Sequence, residues 1–547
     1  MSGTKVTPAA DGSSSRDIAG PPGPPGHRGW FSPVALIITV FTVIGLGLRL
    51  FLLSRPGYLL GVTQYDDGPY FGSALRLVHG ALPYRDFIIV QPPGITLLMS
   101  PAALLAQVTS TAWGMAAGRI LTVAASSAGI VLVGLLARHR GPLAVALSCG
   151  VLAIFPGSLV AAHTVLLEPW LTLFCLIGAV TVVDRDQLAR SSRRLVWGGV
   201  AFGFAGAIEV WAIIPIVVIA VLLSREIRRA ARFVAGVAIG FCVPVIPFAA
   251  AAPRRFYNSF FAAQVFRVVP TRTPVNKRLR LMSGIGQLLH LGSTGTLIAA
   301  LIIVVFVVAA FIVAWRISRQ PLTGLDWFVL ATCTLVVVAF LWYAQFFLHF
   351  PAFLAPFLGL SIGLAAGRLA GALQTGDIEA PASQRSPGSW AQWAVVGLAA
   401  VGVVILAVQQ GQSDLNVTPR VSPAALQAVQ RIVPHGACVL SDQASFLIAA
   451  DRFYSGVPGC SEMVDAIGTD YALGHGRDAT SGAARFPAVS STWRSAFRHA
   501  QYVWLSLRFN TRRIAWTPAL HSYFWNHFSR VYKDGESDAL YARTKRA

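Results

Sequence analysis

The sequence predicts a polytopic α-helical membrane protein with about eleven transmembrane helices, followed by a soluble α/β domain at the C-terminus. Three observations lead to this fold class. Hydrophobic residues make up 55% of the 547 residues and charged residues only 12%, the mean hydropathy is +0.61, and long apolar runs recur up to residue 409. Soluble globular domains carry about 25% charged residues. The composition therefore excludes a soluble globular class for most of the chain.

The N-terminal residues have a different composition from the rest. Residues 1–29 are rich in Pro, Gly and Ser and contain the run Pro21-Pro22-Gly23-Pro24-Pro25-Gly26. Such a segment cannot bury a core, so we expect a disordered cytoplasmic tail over 1–29. The apolar run 33–53 follows without a short signal-like core and a cleavage site, and it predicts a retained first membrane helix.

Further apolar runs approach the roughly 20 residues that a bilayer requires. They predict spans near 116–137, 142–157, 165–183, 231–252, 294–315, 326–347, 350–371 and 391–409. The run 196–224 lies between two arginine clusters, so we expect it to cross twice as short or broken helices near Glu209 to Pro215. Residues 93–108 are too short for a regular span and fit a re-entrant segment.

Basic clusters set the predicted orientation, because cytoplasmic loops carry an excess of Lys and Arg. Placing the clusters at 138–140, 185–194, 225–232 and 316–319 inside makes the N-terminus cytoplasmic and everything after residue 410 extracytoplasmic, in a plasma (inner) membrane. The domains are then a tail over 1–29, a membrane domain over 30–409 with outer loops 54–115 and 253–292, and an outer domain over 410–547.

The formal net charge of +21 does not indicate nucleic-acid binding, because the basic residues lie in short clusters between apolar runs. The loop 253–292 is the exception to the charge rule, since it carries cations on the predicted outer side. These are Arg254, Arg255, Arg267, Arg272, Lys277, Arg278 and Arg280. An anionic ligand would explain their position.

The composition changes after residue 410. Residues 437–442 and 502–507 predict strands and residues 443–450 a helix, which together indicate an α/β domain. Cys438 and Cys460 are the only cysteines there. A disulfide between them is permitted, but the sequence does not fix their separation, so both the bonded and the free form stay open.

Acidic residues are scarce, yet two are adjacent in Gln64-Tyr65-Asp66-Asp67-Gly68-Pro69-Tyr70, just beyond the first span. Apolar residues on one face of 71–78 predict a short amphipathic helix at the membrane surface, with Asp67 as its N-cap. Two interpretations remain: a helix cap beside a loop acid, or a functional site.

Four more residues are candidates for a site. Glu168 lies at the outer mouth of an apolar span, where an ionisable side chain is costly and usually faces a cavity or partner, although it could instead extend to the interface. Arg119 is either a head-group anchor or a phosphate clamp. Glu209 lies in the broken run, and His349 is either an interfacial histidine or a ligand. No Cys/His cluster suits zinc, and a divalent cation at Asp66 and Asp67 would need oxygen ligands from elsewhere.

These motifs resemble those of the GT-C superfamily of integral-membrane glycosyltransferases. Asp66-Asp67-Gly68-Pro69-Tyr70 followed by Gln91-Pro92-Pro93-Gly94 is similar to the first outer loop of the protein mannosyltransferase and aminoarabinose transferase-like branch, whose pattern is Asp-Glu-x-x-Tyr and later Lys-Pro-Pro. Arg119, Glu168 and the stretch from His349 to Pro356 match further positions, so the resemblance covers roughly residues 33 to 360.

The chain departs from that pattern at four positions. Asp67 replaces a glutamate, Gln91 and Glu209 replace lysines, and His349 replaces an arginine. Three cationic positions are thus lost or weakened. If a lipid phosphate is still bound, Arg119 and the loop 253–280 would have to supply most of the positive charge.

The resemblance implies a polyprenyl-phosphate-sugar donor, inversion at the anomeric carbon, and an envelope glycan, glycolipid or protein as the acceptor outside the membrane. Asp66 would act as general base beside Asp67. Substrate contacts would come from Glu168, Arg119, Tyr70, Gln91, His349, Arg254, Arg255 and Arg267. The sequence leaves open whether the sugar is a mannosyl or an arabinosyl unit, and the composition suggests an actinobacterial source. The competing classes are a lipid or ion-coupled transporter or flippase, and a non-catalytic envelope scaffold.

Overall fold

The computed structural model of the protein describes Gly3 and residues 33–378 and 388–544. The tail expected over residues 1–29 lies outside this part of the chain, apart from Gly3. Within the described ranges, seven helices are long and apolar enough to cross a membrane. They are α1 (Pro33–Leu53), α4 (Thr111–Ala137), α10 (Ile227–Ala251), α15 (Ser293–Ser318), α16 (Gly324–Trp342), α17 (Pro351–Ile378) and α18 (Gly388–Leu415).

Other apolar helices are shorter or bent. Helices α5 (Pro142–Ile154) and α6 (Pro156–Ala162) meet at 54° and bring the number of candidate spans to eight if they cross as one. The short helices are α3 (Gly94–Val108), α7 (Glu168–Val182), α8 (Ser192–Ile208) and α9 (Ile213–Leu222). About eleven crossings therefore stays a prediction that depends on how these short helices sit in the bilayer.

The long run 196–224 is broken where the sequence indicated a break. Helix α8 ends at Ile208, Glu209 has extended backbone angles, and a 3₁₀ turn over Val210–Ala212 leads into α9. Glycines of α8 pack directly on the backbone of α10, and a Cβ on Gly199 would come within 3.1 Å of the Gly236 Cα. This close packing fixes α8, and with it the position of Glu209 at the break.

The segment predicted to be the first outer loop folds differently from the expectation. Helix α2 (Asp67–Val78) begins at Asp67, and the N-cap position belongs to Asp66, whose side chain makes no cap hydrogen bond. Asp67 is therefore not the N-cap. Helix α2 packs between α3 and α20 (Ala444–Ala449), so protein covers its apolar face; its place at the membrane surface stays a prediction. Every residue from Asp67 to Leu75 is buried.

The segment 253–292, predicted to be the second outer loop, is a series of short helical pieces. They are α11 (Pro253–Phe256), a π-helix over Tyr257–Ala262, α12 (Ala263–Val265), α13 (Val275–Ser283) and α14 (Ile285–Leu288). A two-residue hairpin, β1 (Val183–Asp184) with β2 (Gln187–Leu188), joins α7 to α8.

Residues after α18 form a four-stranded sheet flanked by helices. The strands are β3 (Val439–Ser441), β4 (Tyr502–Ser506), β5 (Phe528–Asp534) and β6 (Asp538–Arg543), and the helices are α19 (Pro423–Ile432), α20, α21 (Ala466–Leu473), α22 (Pro487–His499), α23 (Asn510–Arg513) and α24 (Pro518–His527). The order is β3-β4-β6-β5, with β3 and β4 parallel and the other pairs antiparallel.

Two further features of this region bear on the sequence analysis. Helix α20 and strands β3 and β4 lie within the ranges predicted for a helix and two strands. Cys438 and Cys460 form a disulfide, so of the two alternatives the structure has the bonded one. The division of the chain at residue 410 and the outer location of this part remain predictions.

Candidate active site

The adjacent acids Asp66 and Asp67 have different surroundings. Asp67 is fully buried, and its Oδ2 accepts hydrogen bonds from Arg119 Nη2 at 3.0 Å, Thr164 Oγ1 at 2.7 Å and Thr63 Oγ1 at 3.2 Å. Arg119, 1% exposed, also donates to the carbonyls of Tyr58 and Leu59. This pair joins α2 to α4, and the contacts favour a structural role for Arg119 over contact with a ligand phosphate.

Asp66 presents the free carboxylate of the pair. It is half-buried, and in the described part of the chain its side chain accepts no hydrogen bond. Burial raises the pKa of Asp66 above its ordinary value; His349, Arg513 and Arg420 oppose this effect, whereas Asp67 adds to it. A carboxylate with a raised pKa, partial access and no partner is suited to accept a proton.

Glu168 and His349 contact each other, and both interact electrostatically with Asp66. The His349 Nε2 lies 3.4 Å from Glu168 Oε1, and both side chains are buried. The other carboxylate oxygen of Glu168 has no hydrogen-bond partner among the described residues, and the same holds for Oε2 of Glu209. Glu209 is close enough to Glu168 to interact electrostatically. These buried acceptors can receive hydrogen bonds from the hydroxyl groups of a ligand.

Tyr70 and Gln91 are placed by the same loop. Tyr70 is buried in the first turn of α2, and burial together with Asp66 raises the pKa of its phenol well above the ordinary value. Gln91 is half-buried, and its carbonyl accepts a hydrogen bond from Tyr84 Oη at 2.6 Å. Gly94, in the first turn of α3, packs on the backbone of Ala207, which brings this segment against the end of α8.

Three arginines of the segment 253–292 have partners within the protein. Arg254 and Arg255 are exposed, and Arg255 donates to the Arg85 carbonyl at 2.6 Å. Arg267 donates to Gln345 Oε1 at 2.5 Å and lies 4.2 Å from the ring centroid of Tyr471. Arg278 is buried and donates to backbone carbonyls at the end of α16. The loop is thus held largely by its own cations.

The C-terminal region contacts the acid loop directly. Tyr65 Oη donates to Asp465 Oδ1 at 3.1 Å and accepts from the Ile467 amide at 2.9 Å. Gln443 Nε2 donates to the Gln64 carbonyl at 2.7 Å. Arg513 lies 4.6 Å from the Tyr65 ring centroid. These contacts fix the two residues that precede Asp66.

Sequence reasoning missed two cations of this site, Arg420 and Arg513. Arg420 follows the last apolar helix, and its amide donates to the Val62 carbonyl at 2.9 Å. Arg513 donates to Asp442 and Gln443. Neither position carries a local motif, so only the fold brings them beside Asp66.

A divalent cation has little support from the side chains in place. No group of three or more His, Cys, Asp or Glu side chains in the described ranges is arranged to hold a metal ion. Asp67, one half of the acid pair, already has an oxygen occupied by Arg119 and two threonines.

The chain is similar to known glycosyltransferases in sequence and in fold. Residues 90–341, a little less than half of the chain, match the model of glycosyltransferase family 87. A search of curated protein sequences found no match.

Two solved structures share the fold across most of their length. ArnT from Cupriavidus metallidurans, bound to undecaprenyl phosphate, has a TM-score of 0.58 at 16% identity and covers 94% of this chain and 98% of its own. The apo oligosaccharyltransferase of Archaeoglobus fulgidus has a TM-score of 0.53 at 11% identity and covers 95% of this chain and 75% of its own. The actinobacterial source stays a prediction. The resemblance drawn from the motifs is confirmed: the chain has the fold of the GT-C integral-membrane glycosyltransferases, and its central segment matches glycosyltransferase family 87.

Proposed function

We propose that the protein transfers a sugar from a polyprenyl-phosphate-sugar donor to an envelope acceptor outside the membrane, with inversion at the anomeric carbon. The glycosyltransferase family match and the GT-C fold support the reaction class. That ArnT has been solved with undecaprenyl phosphate supports a lipid phosphate as the carrier. The acceptor is a glycan, glycolipid or protein of the envelope.

The observation that carries the proposal is the state of Asp66. It has a carboxylate without a hydrogen-bond partner in the described ranges, a raised pKa, and a backbone held by α2 on one side and by Gln443 and Tyr65 contacts on the other. A general base needs a free lone pair, a fixed position and a pKa closer to the working pH. Asp66 meets all three requirements, whereas Asp67 is fully buried and forms an ion pair with Arg119.

The reaction then balances as a single displacement. The acceptor hydroxyl oxygen forms a bond to the anomeric carbon, and its proton passes to Asp66. The bond between that carbon and the phosphate oxygen breaks, and the electron pair leaves with the polyprenyl phosphate. Attack from the face opposite the phosphate inverts the anomeric centre. Cations near the leaving oxygen stabilise the charge that develops there.

Glu168 and His349 orient a sugar in this proposal. Their contact at 3.4 Å holds the imidazole against one carboxylate oxygen and leaves the other oxygen to accept from a sugar hydroxyl. Tyr70 lies near the same acids and contributes a phenol that stays protonated. Gln91 and Arg267 lie at half-buried positions of the surrounding loops.

The experiment is transfer from a panel of radiolabelled polyprenyl-phosphate sugars, mannosyl and arabinosyl donors included, by purified protein. Asp66→Asn should reduce transfer by at least about a hundredfold, because general-base catalysis contributes roughly 10²–10⁴-fold. Glu536→Gln is the matched control, since Glu536 is an exposed carboxylate on the C-terminal sheet, and it should retain full transfer.

Two results would contradict the proposal in different ways. Full transfer by folded Asp66→Asn would remove Asp66 as the base. If the wild-type protein binds polyprenyl phosphate but transfers no sugar from any donor, the transporter, flippase and scaffold alternatives would replace the transferase.

A further inference from the structure

Three of the cations expected to bind a donor phosphate have other partners. Arg119 is committed to Asp67 and to two carbonyls, Arg278 to the end of α16, and Arg267 to Gln345 and Tyr471. A phosphate group leaving beside Asp66 would still need compensating positive charge. Two other cations, Arg420 and Arg513, act electrostatically on Asp66.

Arg420 is such a cation. Its backbone amide is held by the Val62 carbonyl at 2.9 Å, which fixes its place beside the acid loop. As a residue Arg420 is solvent-accessible, and its guanidinium makes no hydrogen bond or ion pair to the described part of the chain. It interacts electrostatically with both Asp66 and Asp67. All five N–H donors of Arg420 are thus available to a ligand.

Arg513 lies beside the same loop. Its Nη1 donates to Asp442 Oδ2 at 3.2 Å and to Gln443 Oε1 at 2.7 Å, while the guanidinium carbon lies 4.6 Å from the Tyr65 ring centroid. Its Nε and Nη2 have no hydrogen-bond acceptor among the described residues, and neither atom is among the fully buried orphans. Arg513 is therefore oriented by one nitrogen and has donors to spare.

Burial lowers the pKa of Arg420, and the neighbouring charge of Arg513 lowers it further, so the two arginines are close enough to repel each other. Like charges held beside one loop favour a bound anion, and guanidinium groups match phosphate oxygens through paired N–H donors. Asp66 alone does not neutralise them, because it makes no ion pair with either arginine within 4.0 Å in the described chain.

We propose that Arg420 and Arg513 form a binding site for a phosphate group beside Asp66. This deepens the proposed function, and it rests on that function only in identifying the phosphate as the head group of the lipid donor and of the product. In this site, residues that follow the last membrane helix stabilise the negative charge of the leaving phosphate. Such a site also explains how the chain could bind a phosphate although Gln91, Glu209 and His349 stand where the resemblance implies cations.

The test measures binding rather than transfer, so that it is independent of catalysis. Purified full-length protein in detergent is titrated with polyprenyl phosphate and, separately, with the uncharged polyprenol of the same length. Arg420→Gln should weaken polyprenyl phosphate binding about tenfold or more, the effect of losing charge-assisted hydrogen bonds. Polyprenol binding should not change.

Matched controls separate this site from general charge effects. Arg431→Gln and Arg512→Gln remove exposed arginines of α19 and α23, and both variants should bind polyprenyl phosphate as the wild type does. Arg513→Lys keeps a positive charge but not the paired donors, and it should weaken binding by less than Arg420→Gln. Arg513 also contacts Asp442, so its substitution could disturb the fold. The exposed Arg420 is therefore the residue whose substitution decides the test.

Competition with inorganic phosphate identifies the source of the phosphate group. If millimolar inorganic phosphate leaves polyprenyl phosphate bound, the site is a lipid head-group site; if it displaces the lipid from the wild type but not from Arg420→Gln, the site takes free phosphate as well. Equal binding of polyprenyl phosphate by the wild type and Arg420→Gln would overturn the inference. If Arg420→Gln binds polyprenyl phosphate more weakly than the wild type, but the wild type transfers no sugar from any donor, the phosphate site would stand and the transferase would be rejected.

Discussion

Asp66 and Asp67 are neighbours in the sequence, yet the fold gives them separate tasks. Asp67 enters the first turn of α2 and turns inward to Arg119, while Asp66 remains at the N-cap position with a free carboxylate. The sequence could identify the pair, because acidic residues are scarce and these two adjacent ones follow a predicted membrane span. It could not divide the roles, because Arg119 lies 52 residues away and Thr164 belongs to another segment.

The raised pKa of Asp66 leads to a prediction about pH. The carboxylate acts as a base only when ionised, so activity should fall as the pH drops through its pKa, at a higher pH than for an aspartate at its ordinary value of 3.8. Arg420 favours the ionised form, so Arg420→Gln should move this acidic limb to still higher pH. Initial rates at low donor concentration, measured across a range of pH, give the position of this acidic limb. An acidic limb that stays near pH 4 in both proteins would contradict the assignment.

The buried pair of Asp67 and Arg119 predicts a stability effect. Arg119→Met leaves the Asp67 carboxylate buried with only threonine donors, which should lower the free energy of unfolding by about 3–5 kcal/mol. Denaturant unfolding of purified protein in detergent measures the change. The double variant Arg119→Met with Asp67→Asn should lose less than the single one, because no charge is then left unpaired. A single variant as stable as the wild type would show that the pair contributes little.

At the level of elements, the contact between α2 and α20 connects the acid loop to the C-terminal region. The hydrophobic pattern of 71–78 predicted a helix, and its apolar face suggested the membrane surface. The pattern could not reveal that the covering partner comes from residues 444–449. Sequence periodicity reports that a face is buried, but not against which distant segment it packs.

Gly68 tests this contact. An added Cβ would lie 3.2 Å from the Ala444 carbonyl carbon and 3.2 Å from the Ser445 Cα, and both are backbone atoms that cannot rotate away. Gly68→Val should therefore displace α2 from α20, move Asp66 and reduce sugar transfer by about a hundredfold. Radiolabelled transfer measures the loss.

Gly397→Val is the matched control, because an added Cβ on this α18 glycine meets nothing within 4 Å. It should leave transfer unchanged. Full activity in Gly68→Val would mean that the contact between α2 and α20 does not set the position of Asp66.

For the whole molecule, composition and the run lengths were sufficient to predict a helical membrane protein, and the break at Glu209 followed from two arginine clusters around one long run. The predicted strands at 437–442 and 502–507 contain β3 and β4. The sequence did not place Arg420 or Arg513 in the site, because their neighbours there are hundreds of residues away in the chain. Contacts of that range depend on how the C-terminal region packs on the first outer loop.

The stability of the C-terminal region should depend on pH through Asp470. This carboxyl is fully buried, and burial raises its pKa from 3.8 to about 8, although the Trp493 indole donates to its Oδ1 at 2.8 Å. The folded state therefore holds a proton that the unfolded chain releases near pH 4. The stabilisation is complete below the unfolded pKa and is lost as the pH rises through the folded one. The free energy of unfolding should fall by up to about 1.4 kcal/mol per pH unit between pH 4 and 8 from this group.

Asp465 adds to the same trend over a narrower range, because burial raises its pKa to about 6. Asp470→Asn removes the titration at Asp470 while keeping an oxygen that accepts from Trp493. The variant should therefore lose less stability than the wild type between pH 5 and 8, and the difference should be largest at pH 8. Thermal unfolding of both proteins at pH 5 and pH 8 gives the comparison. Parallel pH dependence in the two proteins would show that Asp470 is ionised in the folded state, and that the Trp493 hydrogen bond and nearby solvent compensate for its burial.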